Sequence, residues 1–107
     1  MSQFDVHRNI GQQRENMPYV VIVQSAAFDS WRRRIVVPLV RGATATSSFR
    51  AARFNPRFTI EGIEVILHPI EIASVAMHQL GIKVGDLKEH GSTITDALDE
   101  VFSRTWG

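Results

Sequence analysis

Cysteine is absent from this 107-residue chain. That removes disulfide staples, thiolate zinc sites and cysteine nucleophiles together. Long apolar runs are missing too. The longest near the N-terminus, Tyr19-Val20-Val21-Ile22-Val23, is about a quarter of a membrane-spanning helix. Residues 1–12 lack the basic-then-apolar order of an export signal, so a cytoplasmic protein with no membrane association is expected. No G-x-S-x-G, Walker or Rossmann motif occurs. The four histidines, His7, His68, His78 and His90, are scattered without metal-ligand spacing. Each is expected on the surface or in a loop, and no metal or cofactor is expected. Glu61, Glu64 and Glu71 sit on or beside one hairpin, but the two-residue period of a strand puts Glu61 and Glu64 on opposite faces, and Glu64 and Glu71 likewise. No catalytic residue is assigned, and the sequence features offer no enzyme.

What is present suits one folded domain spanning residues 1–107. Hydrophobic residues make up 44% and charged residues 21%, ordinary globular usage rather than that of a disordered chain. Ten of the twelve basic residues are arginine, the side chain suited to bidentate and stacked contacts. The net charge of +1 hides an uneven layout. Residues 1–57 carry nine arginines against Asp5, Glu15 and Asp29, a net +6. Residues 58–107 carry Lys83, Lys88 and Arg104 against eight acids, a net −5. Such a layout is either a solvated basic face opposing an acidic one or a docking surface for an acidic partner. The densest cluster, Arg32-Arg33-Arg34, is too short for a nucleic-acid tract, so no direct nucleic-acid binding is expected. In an extended segment Arg32 and Arg34 share a face, and the trio reads as the solvated start of a strand.

The hydrophobic period changes once. Up to about residue 80 the apolar runs are short and β-branched, as in strands. Residues 3–8 alternate, with Phe4 and Val6 on one face and Asp5 and His7 on the other. Residues 19–24, after Pro18, form a near-continuous apolar run fit for a strand covered on both faces. Residues 33–40 follow the turn-like Phe28-Asp29-Ser30. Pro38 cannot donate a ladder hydrogen bond, so a bulge or an edge position is expected there. Residues 57–61 and 63–68 flank Gly62 and read as a hairpin, residues 42–48 as a loop, and the isolated Gly81 and Gly85 as turn positions. After Gly91, Ile94, Ala97, Leu98, Val101 and Phe102 form one helical stripe. Thr93, with Asp96 three residues on and Ser92 and Thr95 nearby, supplies capping chemistry. Asp96, Asp99 and Glu100 fall on the opposite face. The expected fold is mainly β with one C-terminal helix.

The terminus Phe102-Ser103-Arg104-Thr105-Trp106-Gly107 places an indole beside the last residue. Either Trp106 extends the helix stripe onto the sheet, or it reaches for a partner surface.

Read together, Val23-Gln24-Ser25, Arg33-Arg34-Ile35-Val36-Val37-Pro38-Leu39, Ile72-Ala73-Ser74-Val75, Val84-Gly85-Asp86-Leu87 and Trp106-Gly107 resemble the CcdB family of plasmid and chromosomal toxins. The likeness runs in register from Gln3-Phe4 to the end. It implies an SH3-like small barrel with a C-terminal helix, the CcdB/MazF/Kid-type toxin fold. It also implies a homodimeric toxin of a type II toxin–antitoxin system. Family members insert C-terminal tryptophans into the dimer interface of the DNA gyrase A subunit and trap its cleaved-DNA complex. A CcdA-like antitoxin with a disordered C-terminal region neutralises them. By this resemblance Trp106, Gly107 and Phe102 are the gyrase-binding residues. The chemistry suits the role, since a desolvated indole–guanidinium stack is worth roughly 2 kcal/mol. A two-fold toxin presents its tryptophan twice to a two-fold target. One departure stands out: the best-known members end in an aromatic residue followed by Trp-Gly-Ile. Here Ser103-Arg104-Thr105 intervene and the isoleucine is missing. On a continued helix three extra residues rotate the indole by about 300° and raise it by about 4.5 Å.

Two alternatives remain open at this level. One is a MazF/Kid-like endoribonuclease, whose strand order Pro18-Tyr19-Val20-Val21-Ile22-Val23 and Val36-Val37-Pro38-Leu39 also resemble. Residues 3–16 lack the glycine- and proline-marked motif usual near the N-terminus of those enzymes. The other is a non-toxic homologue that binds an antitoxin only. From the charge asymmetry, Arg50, Arg53 and Arg57 are expected to meet acidic residues of the antitoxin.

Overall fold

The computed structural model describes residues 2–42 and 54–102. Seven strands and one helix follow in chain order: β1 (Asp5–Asn9), β2 (Tyr19–Ile22), β3 (Arg33–Arg41), β4 (Arg57–Ile60), β5 (Ile63–Leu67), β6 (Ala73–Ala76), β7 (Leu80–Asp86) and α1 (Gly91–Phe102). The strands form one antiparallel sheet in the order β4-β5-β3-β2-β1-β7, with β6 joining β3. This sheet curls into a half-barrel, and α1, the one α-helix among the described residues, follows at the C-terminal end, the mainly β small-barrel class expected. Its inner face gathers Val6, Val21, Val37, Leu39, Val65 and Leu67 with Ile94 and Ala97 of α1.

The continuous apolar run of β2 has its reason in the topology. Every residue of β2 is buried. Its odd positions Tyr19 and Val21 face the main core. Val20 and Ile22 face the other way, where Val36 joins them under partly buried Val75 and Leu80. Two cores, one on each side of the same four residues, leave no place for a polar side chain.

Pro38 sits neither at an edge nor at a bulge. It pairs with Val20 in an unbroken β2–β3 register, and its carbonyl accepts from the His68 N–H on the opposite side at 3.1 Å. Its nitrogen therefore points away from β2, toward the junction where β6 pairs with residues 33–36 of β3 and β5 with residues 39–41. No ladder bond is needed at that junction, so the missing N–H costs little.

The hairpin around Gly62 forms with a two-residue connection: Ile60 pairs with Ile63, and Glu61 and Gly62 have φ of 51° and 78°. Positive φ at both central residues is the mark of the type I′ turn that suits a right-twisted hairpin. Gly81 and Gly85, by contrast, lie inside β7 rather than in turns. A Cβ on Gly81 would come within 2.6 Å of the Arg8 carbonyl. Here glycine permits close approach of β7 to β1, whose pairing slips register on both sides of His7. The helix also starts earlier than its capping residues suggest. A 3-10 turn at Lys88–His90 runs straight into Gly91, so Thr93 lies in the first turn rather than at the cap. The hydroxyl of Thr95 donates back to the Gly91 carbonyl at 2.8 Å.

Candidate functional site

The helix stripe leaves the core by degrees. Ile94 and Ala97 are fully buried, Leu98 packs at the margin, and Phe102 in the last turn is 63% exposed. The apolar face of α1 therefore runs off the end of the half-barrel at Phe102, just where the chain continues toward Trp106. Trp106, Gly107, Arg50 and Arg53 lie outside the described residues. Arg57 opens edge strand β4, exposed, with its Nη1 at 2.8 Å from Glu64 Oε1 on the neighbouring strand. Phe102 and Arg57 thus belong to different elements, and part of Arg57's charge is already matched by Glu64.

The arginine trio is split by burial rather than solvated as a group. Arg32 and Arg33 are exposed, whereas Arg34 is 2% exposed. From beneath the preceding loop, Arg34 Nη1 donates to the carbonyls of Trp31 at 2.6 Å and Arg33 at 3.0 Å. Its Nη2 donates to the Asp29 carbonyl at 2.6 Å. A buried guanidinium that caps three main-chain oxygens satisfies most of its donors without a carboxylate partner. Gln24 holds the same segment from the side: its amide donates toward the carbonyls of Phe28 and Arg33, and its oxygen accepts from the Ile35 N–H. Above this framework stand Phe28, Trp31 and Ile35, all exposed, Trp31 at 65%. With Gln24, Arg33 and Ser74 they line a cavity of about 370 Å³. Sequence reading missed this cluster. Its signal was Trp31 itself, a second indole in a short polar loop, overshadowed by the terminal one.

A polar cluster closes the other end of β2. Tyr19, buried at the ring, donates from its hydroxyl to Glu61 Oε1 at 2.7 Å. Arg8 Nη2 reaches Glu61 Oε2 at 3.0 Å. The bond from Tyr19, then Arg8, holds the Glu61 carboxyl below its ordinary value. Burial, then the same bond, pushes the Tyr19 phenol up. Both oxygens of Glu61 are thus engaged in holding neighbours, which makes it a poor proton acceptor. Glu61 and Glu64 do not form a carboxylate pair, because Glu61 occupies the turn and Glu64 pairs across to Arg57.

His7 is the exception among the histidines. It is buried in β1, and its Nδ1 lies 2.9 Å from the Gly81 carbonyl. A carbonyl only accepts, so Nδ1 carries the proton. His68 is half-buried, and His78 and His90 are exposed. Among the described residues no three His, Asp or Glu side chains gather as a metal site, and no helix is long and apolar enough to cross a membrane.

These surfaces point to partner binding: an aromatic patch on a pinned loop, and a helix whose apolar stripe emerges at its last turn. No curated protein matches the chain in sequence. A family model described as CcdB protein matches residues 3–103, which takes in every strand and all of α1. With nearly the whole chain matched and the half-barrel-plus-helix architecture in place, this protein belongs to the CcdB family, a family of toxins of toxin–antitoxin systems.

Proposed function

We propose that the chain is a homodimeric cytoplasmic toxin that binds the A subunit of DNA gyrase, traps its cleaved-DNA complex and is neutralised by a CcdA-like antitoxin. The observation that carries this reading is the family match over residues 3–103. The exposed Phe102 supports it, since the apolar stripe of the helix leaves the core four residues before Trp106 in the sequence. In this mechanism the half-barrel is a rigid platform and α1 is the arm. Ile94 and Ala97 anchor the arm, Phe102 forms the base of the contact, and Trp106 inserts between guanidiniums of the target, with Gly107 leaving room for the approach. The protein acts as a poison and not a catalyst.

A supercoiling and cleavage-complex assay with purified gyrase tests the proposal. The intact chain is expected to accumulate cleaved DNA, and a chain truncated after Thr105 is expected to lose that activity. Equal behaviour of the two removes Trp106 from the mechanism. Cleavage of bare RNA by the intact chain replaces the poison with a nuclease.

A further inference from the structure

The cluster around Glu61 holds more positive charge than its ion pair uses. Arg8, Arg14 and Arg41 line a cavity of about 470 Å³ beside the Gly62 hairpin, and Glu61 is the one carboxylate among the described residues of its lining. The three arginines come from β1, from the connection between β1 and β2, and from the last position of β3. Strand pairing gathers them. Arg8 sits opposite Tyr19, Tyr19 opposite Leu39, and the Arg41 N–H donates to the Asn16 carbonyl at 2.9 Å. Each head is anchored. Arg8 Nη2 reaches the two Glu61 oxygens at 3.3 and 3.0 Å, Arg14 Nη1 donates to the Gly11 carbonyl at 3.2 Å, and Arg41 Nε donates to the Glu15 carbonyl at 2.7 Å. Guanidiniums oriented in this way lose little conformational entropy when an anion arrives.

The lining defines the ligand. Three cations against one carboxylate leave a net +2 among the described residues of the cavity, and Glu61 is already engaged by Arg8 and by the Tyr19 hydroxyl. A phosphate monoester, with close to two negative charges at neutral pH, matches that balance. Its three terminal oxygens point in different directions and take forks from several arginines at once, whereas a planar carboxylate fills one. The volume lies in the range of small-molecule sites. Pro18 and Ile63, both half-buried, and the buried ring of Tyr19 add an apolar wall to the same cavity. Bare phosphate has nothing to place there, and the organic part of a phosphate ester has. A nucleic-acid strand needs a line of phosphate contacts along a groove, but these arginines converge on one cavity.

We propose that this cavity binds a small phosphomonoester, with its phosphate on Arg8, Arg14 and Arg41 and its organic group against Pro18 and Ile63. Glu61 holds Arg8 in place. None of the residues assigned to gyrase takes part, so binding here stands or falls apart from the toxin reading.

Calorimetry on the full-length chain at low salt, comparing AMP, inorganic phosphate and adenosine, tests this. AMP is expected to bind with a Kd of about 1 mM or tighter. Inorganic phosphate should bind at least about threefold more weakly for want of the apolar contact, and adenosine should give no heat. Arg14→Gln and Arg41→Gln are each expected to weaken AMP binding about tenfold. Ile63→Ala should bring AMP down to the affinity of inorganic phosphate. Arg14 is exposed, so Arg14→Gln should keep the parent's melting temperature, and lost binding in it reports the site rather than the fold. Absence of heat with both AMP and phosphate at about ten times that concentration overturns the site. Parental AMP affinity in both arginine variants does the same. Equal affinity for AMP and adenosine takes the contact off the arginines, and equal affinity for AMP and phosphate removes the apolar wall; either overturns the phosphomonoester. An oligoglutamate peptide that binds more tightly than AMP, and is lost in Arg14→Gln, assigns the arginines to an acidic protein segment instead. An RNA oligonucleotide without terminal phosphate that does so, with an affinity falling steeply with salt, assigns them to a nucleic acid. Neither gyrase nor an antitoxin enters these measurements, so a negative result leaves the toxin reading standing.

Discussion

Two regions of this molecule bring aromatic side chains to the surface, by opposite means. In the loop before β3, Trp31 stands over a buried guanidinium that holds three carbonyls beneath it. At the end of α1, Phe102 is exposed because an amphipathic stripe outruns the core that it covers. The first is held by polar bonds local to the loop, the second by burial two turns away. The comparison separates two ways of making a docking surface, one stiff and self-contained, the other a lever hinged on distant packing.

Removing the hinge should have the largest effect. Ile94→Ala deletes a fully buried side chain against the sheet and is expected to cost about 3 kcal/mol in chemical denaturation. Gyrase trapping should fall with it while the loop around Trp31 keeps its order. Removing the pin comes next. Arg34→Met leaves the carbonyls of Asp29, Trp31 and Arg33 without their donor, partly offset by the absence of a buried charge, for a net loss of about 2 kcal/mol. Trp31 emission should shift to longer wavelength and residues 26–33 should become the first site of protease cleavage. If Arg34→Met leaves both unchanged, the loop does not depend on that guanidinium.

Proton titration probes the framework common to both regions. Burial holds the His68 imidazole below its ordinary value, so the folded state resists protonation there and stability declines as pH falls from about 6.5 through the lower native value. Asp5 behaves as a second step. Burial works against its charge, but the Ser2 N–H and then Lys83 outweigh it and hold the carboxyl below its ordinary value. Its stabilisation is complete above the ordinary carboxylate range and is lost as pH falls beneath it. Denaturation midpoints measured from pH 8 to pH 3 should therefore fall in two stages, and Asp5→Asn should shrink the lower one, leaving the part that the lowered Glu61 carboxyl contributes. The smallest effect belongs to Arg57→Gln, which breaks an exposed pair with Glu64 and should change stability by less than about 1 kcal/mol.

Much of the fold can be read from residue order. The two-faced burial of β2 follows from a run with no polar member, and the hairpin at Gly62 from two β-branched runs around a turn residue. The helix follows from the spacing of Ile94, Ala97 and Leu98. β6 and β7 were harder, because Ala73–Ala76 is small and half-exposed and β7 carries two glycines and no clean alternation. Their strand character comes from ladder partners on β3 and β1 that no local pattern reveals. His7 was misread for the same reason: it was expected on the surface or in a loop, yet it is buried in β1 with its Nδ1 on the Gly81 carbonyl of β7.

Periodicity was enough to indicate a mainly β chain with one amphipathic helix, because hydrophobic spacing is a local property that burial must respect, and the likeness to the CcdB family rested on the order of short motifs. Only the folded chain decided which of three adjacent arginines is buried, that Glu61 is committed to Tyr19 and Arg8, and that Phe28, Trp31 and Ile35 share one cavity. Those outcomes depend on contacts between segments brought together by strand pairing, and a guanidinium has the same chemistry in sequence whether it ends in water or beneath a loop.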